Sequence, residues 1–461
     1  MTKRGKKTAP KKRASAHPPH AELRAASPEA AQPKGPLLPE KKRPFWERPA
    51  LRSILFSLVL TGVLIAAQKA LKQWTVFGQQ LDQMGARLLQ VRLSDSSGWR
   101  GNPVSIVDIS SMAPSSPASA TGAMVVTNRY ELRKYLDQVA SAGPTAIGID
   151  LVFDPALDGT VSREDSDFLN HCLNLRGPSG RIPVRVGIYK SLALGRERWL
   201  GDPRFADLGA SIIVPYEDED HKSAPTGRMI RQFSFMVNKK TVNADSLSYS
   251  LFKIAQSEAA KRRPTLKWAH HGKVSASTFL INFGSLQKMM NCRIKAEDID
   301  SHHSDLHNKI VLIGRATPGE APDAFTTAAS DEPIPGIYIH AAAVYTLMEA
   351  PLYELSERVG CSIDFLLALA IFVIDWWLDH MVGSVSNDKM RTRLEVVVPA
   401  VLAVLVVAAG VWLVEYSGIY WTDFVVVVFV LLIHKPLDRR PEALQPSGMY
   451  RLRKKDHRRL S

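Results

Sequence analysis

The sequence lacks the short motifs by which the common enzyme classes are identified. It contains no GxxxxGK[ST] phosphate-binding loop, no HExxH zinc motif, no GxSxG nucleophile motif and no set of protein-kinase motifs. The two charged tails of the chain are also too short to fold as catalytic domains of their own. We therefore expect a protein that is not an enzyme and that has no catalytic residue, no metal and no cofactor.

Cysteine is scarce, with three in 461 residues. No CxxC pair and no Cys/His spacing typical of a metal site is present. Cys361 falls in an apolar segment, whereas Cys172 and Cys292 both fall in the part of the chain that we expect outside the cytoplasm, where a disulfide can persist. The sequence leaves open whether Cys172 and Cys292 pair.

Acidic residues are few in the two tails. Residues 1–49 carry 13 Lys and Arg against 4 Asp and Glu, and residues 435–461 carry 9 against 3. The net charge of +14 therefore belongs to the tails, and the rest of the chain is nearly neutral, which gives no indication of nucleic-acid binding. Basic tails beside apolar segments are typical of the cytoplasmic face of a membrane. Residues 1–49 are predicted to be disordered, either as a solvated tail or as a dock for anionic lipid or an acidic partner.

Four long apolar segments predict four transmembrane helices, since a membrane helix needs about 20 mostly apolar residues. They lie at 50–71, 358–379, 395–415 and 418–435, and the stretch Val396–Val414 contains no charged residue. The first segment could instead be a cleaved signal peptide, although the charged region before it is long for that role. The sequence leaves this alternative open.

Lys and Arg in the short flanks predict how these helices are oriented. They are abundant in 1–49, in the loop 379–395 and in 436–461, and they are absent from 415–418. The predicted protein is therefore a multi-pass protein of the bacterial inner membrane with both termini in the cytoplasm. Residues 72–357 would form one extracytoplasmic domain.

The predicted outer domain alternates between strand-like and helix-like patterns, which indicates a mixed α/β fold. Short apolar runs predict strands at 104–110, 145–153, 182–189, 210–217, 229–238, 278–284 and 309–315. Apolar residues at helical spacing predict helices at 129–143, 245–262 and 336–350. The succession of strand, helix and strand over 104–153 predicts a βαβ unit, whose strands pair in parallel through a right-handed crossover.

Five blocks of this outer domain, in this order and followed by three apolar segments, resemble the second type of CHASE domain, a family of extracytoplasmic sensor domains in bacterial signalling proteins. The blocks are VSIVDIS, LRKYLDQVASAGPTAIGIDLVFDP, LINFGS, KIVLIGRATPGEAPDAFTT and PGIYIHAAAVYTLME. The resemblance implies an α/β ligand-sensing domain that is usually joined to a cyclase, a kinase or a similar output domain. This chain departs from that pattern because its C-terminal tail is short, so the resemblance implies a separate output partner.

The polar positions within these blocks are the candidate ligand-binding residues. They are Asp108 and Asp150 at the ends of predicted strands, Asp323 in the loop after the last strand, and His340 in the last helix. Convergent polar groups are how small-ligand sites are often built. Each of these residues also has a structural interpretation, because Asp commonly caps loops and a histidine near a helix start is commonly packed.

Two carboxylates in the second predicted span form a further candidate feature. Asp364 and Asp375 are 11 residues apart, which places them on nearly the same helix face about 16 Å apart. Intramembrane carboxylates usually face a bundle interior or water. They could form a polar seam against another helix, or each could reach towards its own membrane surface.

The leading hypothesis is thus a membrane-anchored sensor that binds a small molecule or an envelope component and signals to a partner. The expected partners are membrane lipids and a signalling protein in the same membrane or in the cytoplasm, and a homodimer is left open. The first alternative is an assembly protein whose outer domain binds another envelope protein. A hydrolase on the outer face, based only on scattered Asp and His residues, is the second alternative.

Overall fold

The computed structural model describes most of the predicted outer domain and much of the apolar C-terminal region. The predicted first span and both charged tails lie outside the described residues. The described residues are 76–96, 102–112, 127–153, 163–188, 204–205, 207–214, 227–237, 240–255, 278–318, 324–355, 357–383, 388–425 and 427–428.

Helices and strands alternate along the described chain, as the patterns in the sequence predict. The helices are α1 Val76–Ser96, α2 Arg129–Ser141, α3 Arg163–Asn174, α4 Leu247–Ile254, α5 Leu286–Asn291, α6 His303–Leu306, α7 Gly336–Met348, α8 Glu357–Gly383 and α9 Asp388–Ser417. Short 3₁₀ helices occupy Phe283–Ser285 and Ala296–Ser301. The strands are β1 Val104–Asp108, β2 Ala146–Asp150, β3 Arg176–Gly177, β4 Gly180–Arg181, β5 Val184–Ile188, β6 Gly209–Ser211, β7 Arg228–Ile230, β8 Gln232–Val237, β9 Lys240–Asp245, β10 Thr278–Leu280, β11 Ile294–Lys295, β12 Ile310–Gly314, β13 Ala324–Thr327, β14 Ser330–Pro335, β15 Tyr353–Glu354 and β16 Ile419–Tyr420.

Six of these strands form one parallel sheet, in the order β11-β1-β12-β2-β5-β6. The predicted mixed α/β fold with parallel strands is therefore confirmed. The direct pairing of β1 with β2 is wrong, because β12 lies between them and pairs with both. Strand β12 comes from a distant part of the sequence, so a local strand-helix-strand pattern cannot reveal its position.

Helices cover both faces of the sheet, so the strands are buried on two sides, as parallel sheets usually are. Along β12, Val311 and Ile313 pack into the core formed with α2 and α3. Their neighbours Ile310 and Leu312 pack into the opposite core, formed with α4 and α7. The strand alternation thus assigns each apolar residue of β12 to one of two cores, and the domain has three layers.

The predicted elements agree with the structure in type and differ mainly in length. The helix predicted at 245–262 is described as the shorter α4, which begins at the N-cap Ser246 and is followed by Ala255. The strand predicted at 229–238 is two strands, β7 and β8, separated by Arg231. Several elements were not predicted from the sequence, among them α1, α3, the edge strand β11 and the β13–β14 hairpin.

The cysteines are free in the structure. Cys172 is buried in the core between α3 and the sheet, and Cys292 is exposed at the end of α5. Cys361 lies on α8. The disulfide between Cys172 and Cys292 that the sequence left open is therefore not formed in this structure.

The apolar C-terminal region contains one helix, within the described residues, that is long and apolar enough to cross a membrane. It is the part of α9 that covers Val396–Ser417. Large apolar side chains on it are exposed, among them Val404 and Trp412. The second predicted span coincides with helix α8. The fourth is described only to residue 428, and its first residues form strand β16 before the chain turns helical at Phe424.

Gly148, in the middle of β2, gives a test of this packing. A Cβ atom at this position would lie 2.6 Å from Leu251 of α4 and 2.8 Å from Leu312 of β12. Gly148→Ala should therefore overpack this core and lower the free energy of unfolding by about 1–3 kcal/mol, measured by thermal unfolding of the purified full-length protein. In the control Gly360→Ala on α8, the added Cβ would meet its nearest neighbour at 3.9 Å, so no loss of stability is expected. Equal behaviour of the two variants would contradict the packing described here.

Candidate functional site

The carboxyl ends of the three central strands bring two candidate residues to one edge of the sheet. Asp108 at the end of β1 is in register with Gly314 of β12, and Gly314 is in register with Asp150 at the end of β2. The N-terminal turn of α7 lies over this edge, with Ile337 against the Cα of Gly314. A Cβ on Gly314 would lie 3.0 Å from Ile337 and 3.1 Å from Asp150, so glycine permits this close approach. Ligand sites of open parallel sheets are commonly found at such edges.

The carboxylate of Asp108 accepts hydrogen bonds from residues of the two adjoining loops. One oxygen accepts hydrogen bonds from the N–H and hydroxyl of Ser110 and from the N–H of Ala316, at 3.0, 2.5 and 2.9 Å. The other accepts from the hydroxyl of Thr317 at 2.7 Å. The Arg293 guanidinium lies 3.8 Å from the same carboxylate. Asp108 therefore ties the loop after β1 to the loop after β12.

These contacts keep Asp108 ionised. Burial of the carboxyl raises its pKa, but the hydrogen bonds from Ser110, Ala316 and Thr317 together outweigh burial and hold the pKa below its ordinary value. A fully hydrogen-bonded carboxylate has little capacity left for a ligand. The geometry gives Asp108 the structural role of fixing the edge of the sheet.

Asp150 has a different environment. Its side chain is 6% exposed, and its carboxylate lies 3.9 Å from Nε2 of His340, whose side chain is 1% exposed. Burial alone raises the pKa of Asp150 to about 7. The carboxyl of Asp150 therefore gains or loses its proton near neutral pH, next to a histidine that belongs to α7.

His340 is held by polar groups on two further elements. Its Nδ1 is 3.1 Å from the hydroxyl of Ser248 on α4, and its Nε2 is 3.3 Å from the carbonyl oxygen of Ile212. Ser248, His340 and Asp150 are the three residue types of the Ser-His-Asp triad of acyl-transfer enzymes, with the histidine between the other two. All three side chains are buried, however, and the Ser248 hydroxyl also lies 3.2 Å from the His340 carbonyl. This cluster joins α4, α7 and β2, and a substrate has no open path to it among the described residues.

One polar group at this edge did not stand out in the sequence. Tyr338, in the first turn of α7, is fully buried, and its hydroxyl makes no hydrogen bond within the part of the chain that the structure describes. Burial raises its pKa, while the Arg293 guanidinium close to the hydroxyl opposes that rise. Tyr338 lies in the apolar pattern of a core helix, and only its hydroxyl distinguishes it from a packing residue.

The remaining sequence candidates lie elsewhere. Asp323 falls outside the described residues. Asp364 on α8 is buried and accepts a hydrogen bond from the indole N–H of Trp421 at 3.2 Å, so it faces another segment of the same chain. The side chain of Asp375 is not among those described. No group of three or more His, Cys, Asp or Glu side chains in the described ranges is arranged to hold a metal ion.

A second feature connects the outer domain to the apolar region, and it depends on helix α1. Gln90 of α1 is buried, and its side-chain amide donates to the carbonyl of Ile281 at 3.0 Å and accepts from the N–H of Phe283 at 2.9 Å. A Cβ on Gly284 would lie 2.6 Å from the carbonyl oxygen of Leu93, so the two backbones are in close contact. This face of α1 is thereby fixed to the outer domain.

Other residues of α1 pack against the apolar region. Leu89 and Leu93 are buried in one cluster with Val414 of α9 and with Trp421 and Phe424 just beyond it. Helix α1 therefore has the outer domain on one side and the candidate membrane helix on the other. We call α1, the turn Phe283–Ser285 and the segment 414–424 the junction.

Two backbone contacts complete this connection. Strand β15, which precedes α8, pairs in parallel with β16, which follows α9. Gly418 ends α9 with φ of +67°, and a Cβ there would lie 2.6 Å from the Pro351 carbonyl. A glycine is therefore required at this position both by the backbone conformation and by the close contact. An ion pair between Arg228 of β7 and Glu354 of β15 adds a link to the domain.

The protonation of Asp150 predicts a dependence of stability on pH. A carboxyl whose pKa is raised by folding stabilises the native state below its unfolded pKa, and this contribution is lost as pH rises through the folded value of about 7. Between pH 5 and pH 8 the loss should be about 2–3 kcal/mol. We expect Asp150→Asn to remove this part of the pH dependence of thermal unfolding, and the exposed-site control Asp298→Asn to retain it. An unchanged profile in Asp150→Asn would contradict the raised pKa of Asp150.

Comparison with known proteins gives one match. The model of the CHASE2 domain, a family of extracellular sensor domains, matches residues 56–374. No curated protein and no solved structure matches the chain. The matched region contains the whole six-stranded sheet, the junction helix α1 and most of α8. The suspected resemblance to the second type of CHASE domain is confirmed, and the chain belongs to the CHASE2 domain family.

Proposed function

We propose that this protein is a membrane-anchored sensor whose extracytoplasmic domain binds a small molecule or an envelope component. It would signal through its transmembrane helices to a partner protein. Its family is one of extracellular sensor domains, which supports the sensing role. A ligand can shift such a protein only by its different affinity for two states, so the proposal needs an element that a ligand site and the membrane region share.

Hydrogen bonds that join α7 to α1 are the observation that carries this proposal. Thr346 of α7 accepts from the N–H of Asn282 at 2.7 Å, and the next N–H, of Phe283, donates to Gln90 of α1 at 2.9 Å. The same α7 begins at the carboxyl edge of the sheet and carries His340 beside Asp150. A shift of α7 at that edge would therefore act on α1, and α1 packs against α9.

The membrane arrangement belongs to the same proposal. We infer four spans at 50–71, 358–379, 395–415 and 418–435, with both termini in the cytoplasm. Helix α9 supports this inference by its length and apolar surface, and the Lys and Arg residues of the tails support the orientation. Asp364 would then face the helix bundle, because Trp421 of the following segment donates to it.

The orientation can be tested with single-cysteine variants in intact bacterial cells. With Cys172 and Cys361 replaced by Ser, the exposed Cys292 should react with a membrane-impermeant maleimide added outside. Ser15→Cys and Ser447→Cys, made in a variant without the native cysteines, should react only after the membrane is permeabilised. The buried Cys172, kept as the one cysteine, is the control for access and should react slowly under both conditions. Labelling of either tail in intact cells would overturn this topology and the sensing role with it.

The role of α1 can be tested by removing its polar contact with the outer domain. Gln90→Leu leaves the Ile281 carbonyl and the Phe283 N–H without their partner, at a cost of about 1–3 kcal/mol for each buried group. We expect faster amide hydrogen exchange over 76–96 in the full-length protein in lipid nanodiscs. Gln80→Leu makes the same chemical change at an exposed position of the same helix and should leave exchange unchanged.

The same nanodisc preparation tests sensing itself. A panel of small metabolites should contain at least one compound that raises the unfolding temperature and changes exchange in α1. In Gln90→Leu the compound should still bind, but its effect on α1 should be reduced. If no compound stabilises the protein, and cross-linking in cells captures one constant partner under all conditions, the assembly function replaces the sensing function.

A further inference from the structure

The first turn of α7 is a helix start with no side-chain cap. The residue before it, Pro335, has no N–H and offers no side-chain acceptor to the helix, and no side-chain cap hydrogen bond is made there. The residues of this turn, Gly336 to Ile339, are buried. The first N–H groups of a helix have no partner within the helix, and together with the helix dipole they attract negative charge. A buried start of this kind is suited to an anion.

The hydroxyl of Tyr338 is a second and independent sign of a missing ligand. It is buried without a hydrogen bond in the described part of the chain, and leaving such a group unpaired is costly. Long side chains in helices lean towards the helix N-terminus, and this hydroxyl lies near Arg293 and Asp108 at the carboxyl edge of the sheet. Tyr338 thus offers a donor where the helix also offers donors.

Arg293 supplies the positive charge. Its side chain is 30% exposed, and its guanidinium lies 3.8 Å from Asp108 and donates to the Ala316 carbonyl at 3.3 Å. That bond uses one of the five N–H donors of an arginine. The carboxylate of Asp108 already accepts hydrogen bonds from Ser110, Ala316 and Thr317. It therefore competes little for the remaining N–H donors of Arg293. Arg293 is the member of this group that solvent reaches.

We propose that the N-terminal turn of α7, Tyr338 and Arg293 form a binding site for the carboxylate or phosphate group of a small ligand. This proposal rests on the proposed sensing function and names the chemical class of its ligand. A planar guanidinium binds carboxylate and phosphate groups through two parallel hydrogen bonds. The site lies at the carboxyl edge of the sheet, at the start of the helix that leads to α1.

Tyr338→Phe gives the sharpest test, because it should change stability and binding in opposite directions. Without ligand, the variant should unfold at the same or a higher temperature than the wild-type protein, since it loses a buried hydroxyl that has no partner. Its affinity for the anion should fall about fivefold to tenfold, as expected for one hydrogen bond. The full-length protein in nanodiscs would be titrated calorimetrically with inorganic phosphate and, separately, with succinate, which distinguishes the phosphate from the carboxylate source.

Charge variants provide the matched controls. Arg293→Ala should weaken binding about 100-fold, consistent with the loss of a bidentate ion pair, and Arg293→Lys should recover only part of it. Lys295→Ala removes the same charge from an exposed position on β11, and its effect should be small and should disappear at high salt. Equal losses in Arg293→Ala and Lys295→Ala would overturn a direct contact.

Asp323→Ala tests whether a carboxylate of the chain itself, and not of a ligand, binds these donors. Asp323 directly precedes Ala324, which pairs with Pro335 at the start of α7. If the wild-type protein binds neither anion and Asp323→Ala binds one, the carboxylate of the chain fills the site and the proposal is overturned. If the wild-type protein binds neither anion but a neutral metabolite stabilises it, this proposal fails and the sensing function stands. Binding of phosphate or succinate that is weakened in Tyr338→Phe supports both.

Discussion

The structure depends on the parallel alignment of β1, β12 and β2 and on the burial of both faces of the sheet that they form. This alignment places Asp108, Gly314 and Asp150 in one row at the carboxyl edge. The carboxylates at this edge are buried, so each needs a partner within the protein. Asp108 finds four donors in the adjoining loops, and Asp150 finds His340. Two carboxylates that are equivalent in the sequence thereby acquire opposite pKa shifts.

The local patterns of the sequence predict the elements of the sheet well, because strand and helix periods are local properties. They do not predict the neighbours of each strand. The insertion of β12 between β1 and β2 joins residues that are far apart in the chain, and its register is set by packing on both faces. The placement of polar residues is predictable to the same degree. Strand ends and family blocks single out Asp108, Asp150 and His340, whereas the proximity of Tyr338 to Arg293 depends on how α7 packs on the sheet.

The packing of helix α1 is likewise not predictable from its local sequence. Its sequence is largely polar and has no strong apolar face, so nothing local marks it as a packed helix. Its partners come from three distant segments: the turn Phe283–Ser285, the end of α9 and the residues that follow α9. The residues that matter are a glutamine that bonds main-chain groups and glycines that permit close approach. Neither residue type identifies a contact in the sequence, so only the tertiary structure shows the role of Gln90 and Gly284.

The close contact between Gly284 and the backbone of Leu93 fixes more than the position of α1. Gln90 reaches two main-chain groups from the same face, so the helix is also fixed in its rotation about its own axis. If α1 continued as a rigid helix into the preceding apolar segment, its rotation about its own axis would also determine which face of that segment points towards the other proposed spans. One residue added before Val76 would then turn the preceding helix by about 100°, and four would nearly restore its original face. With the span proposed at 50–71, the number of residues between that span and residue 76 would matter more than their identity.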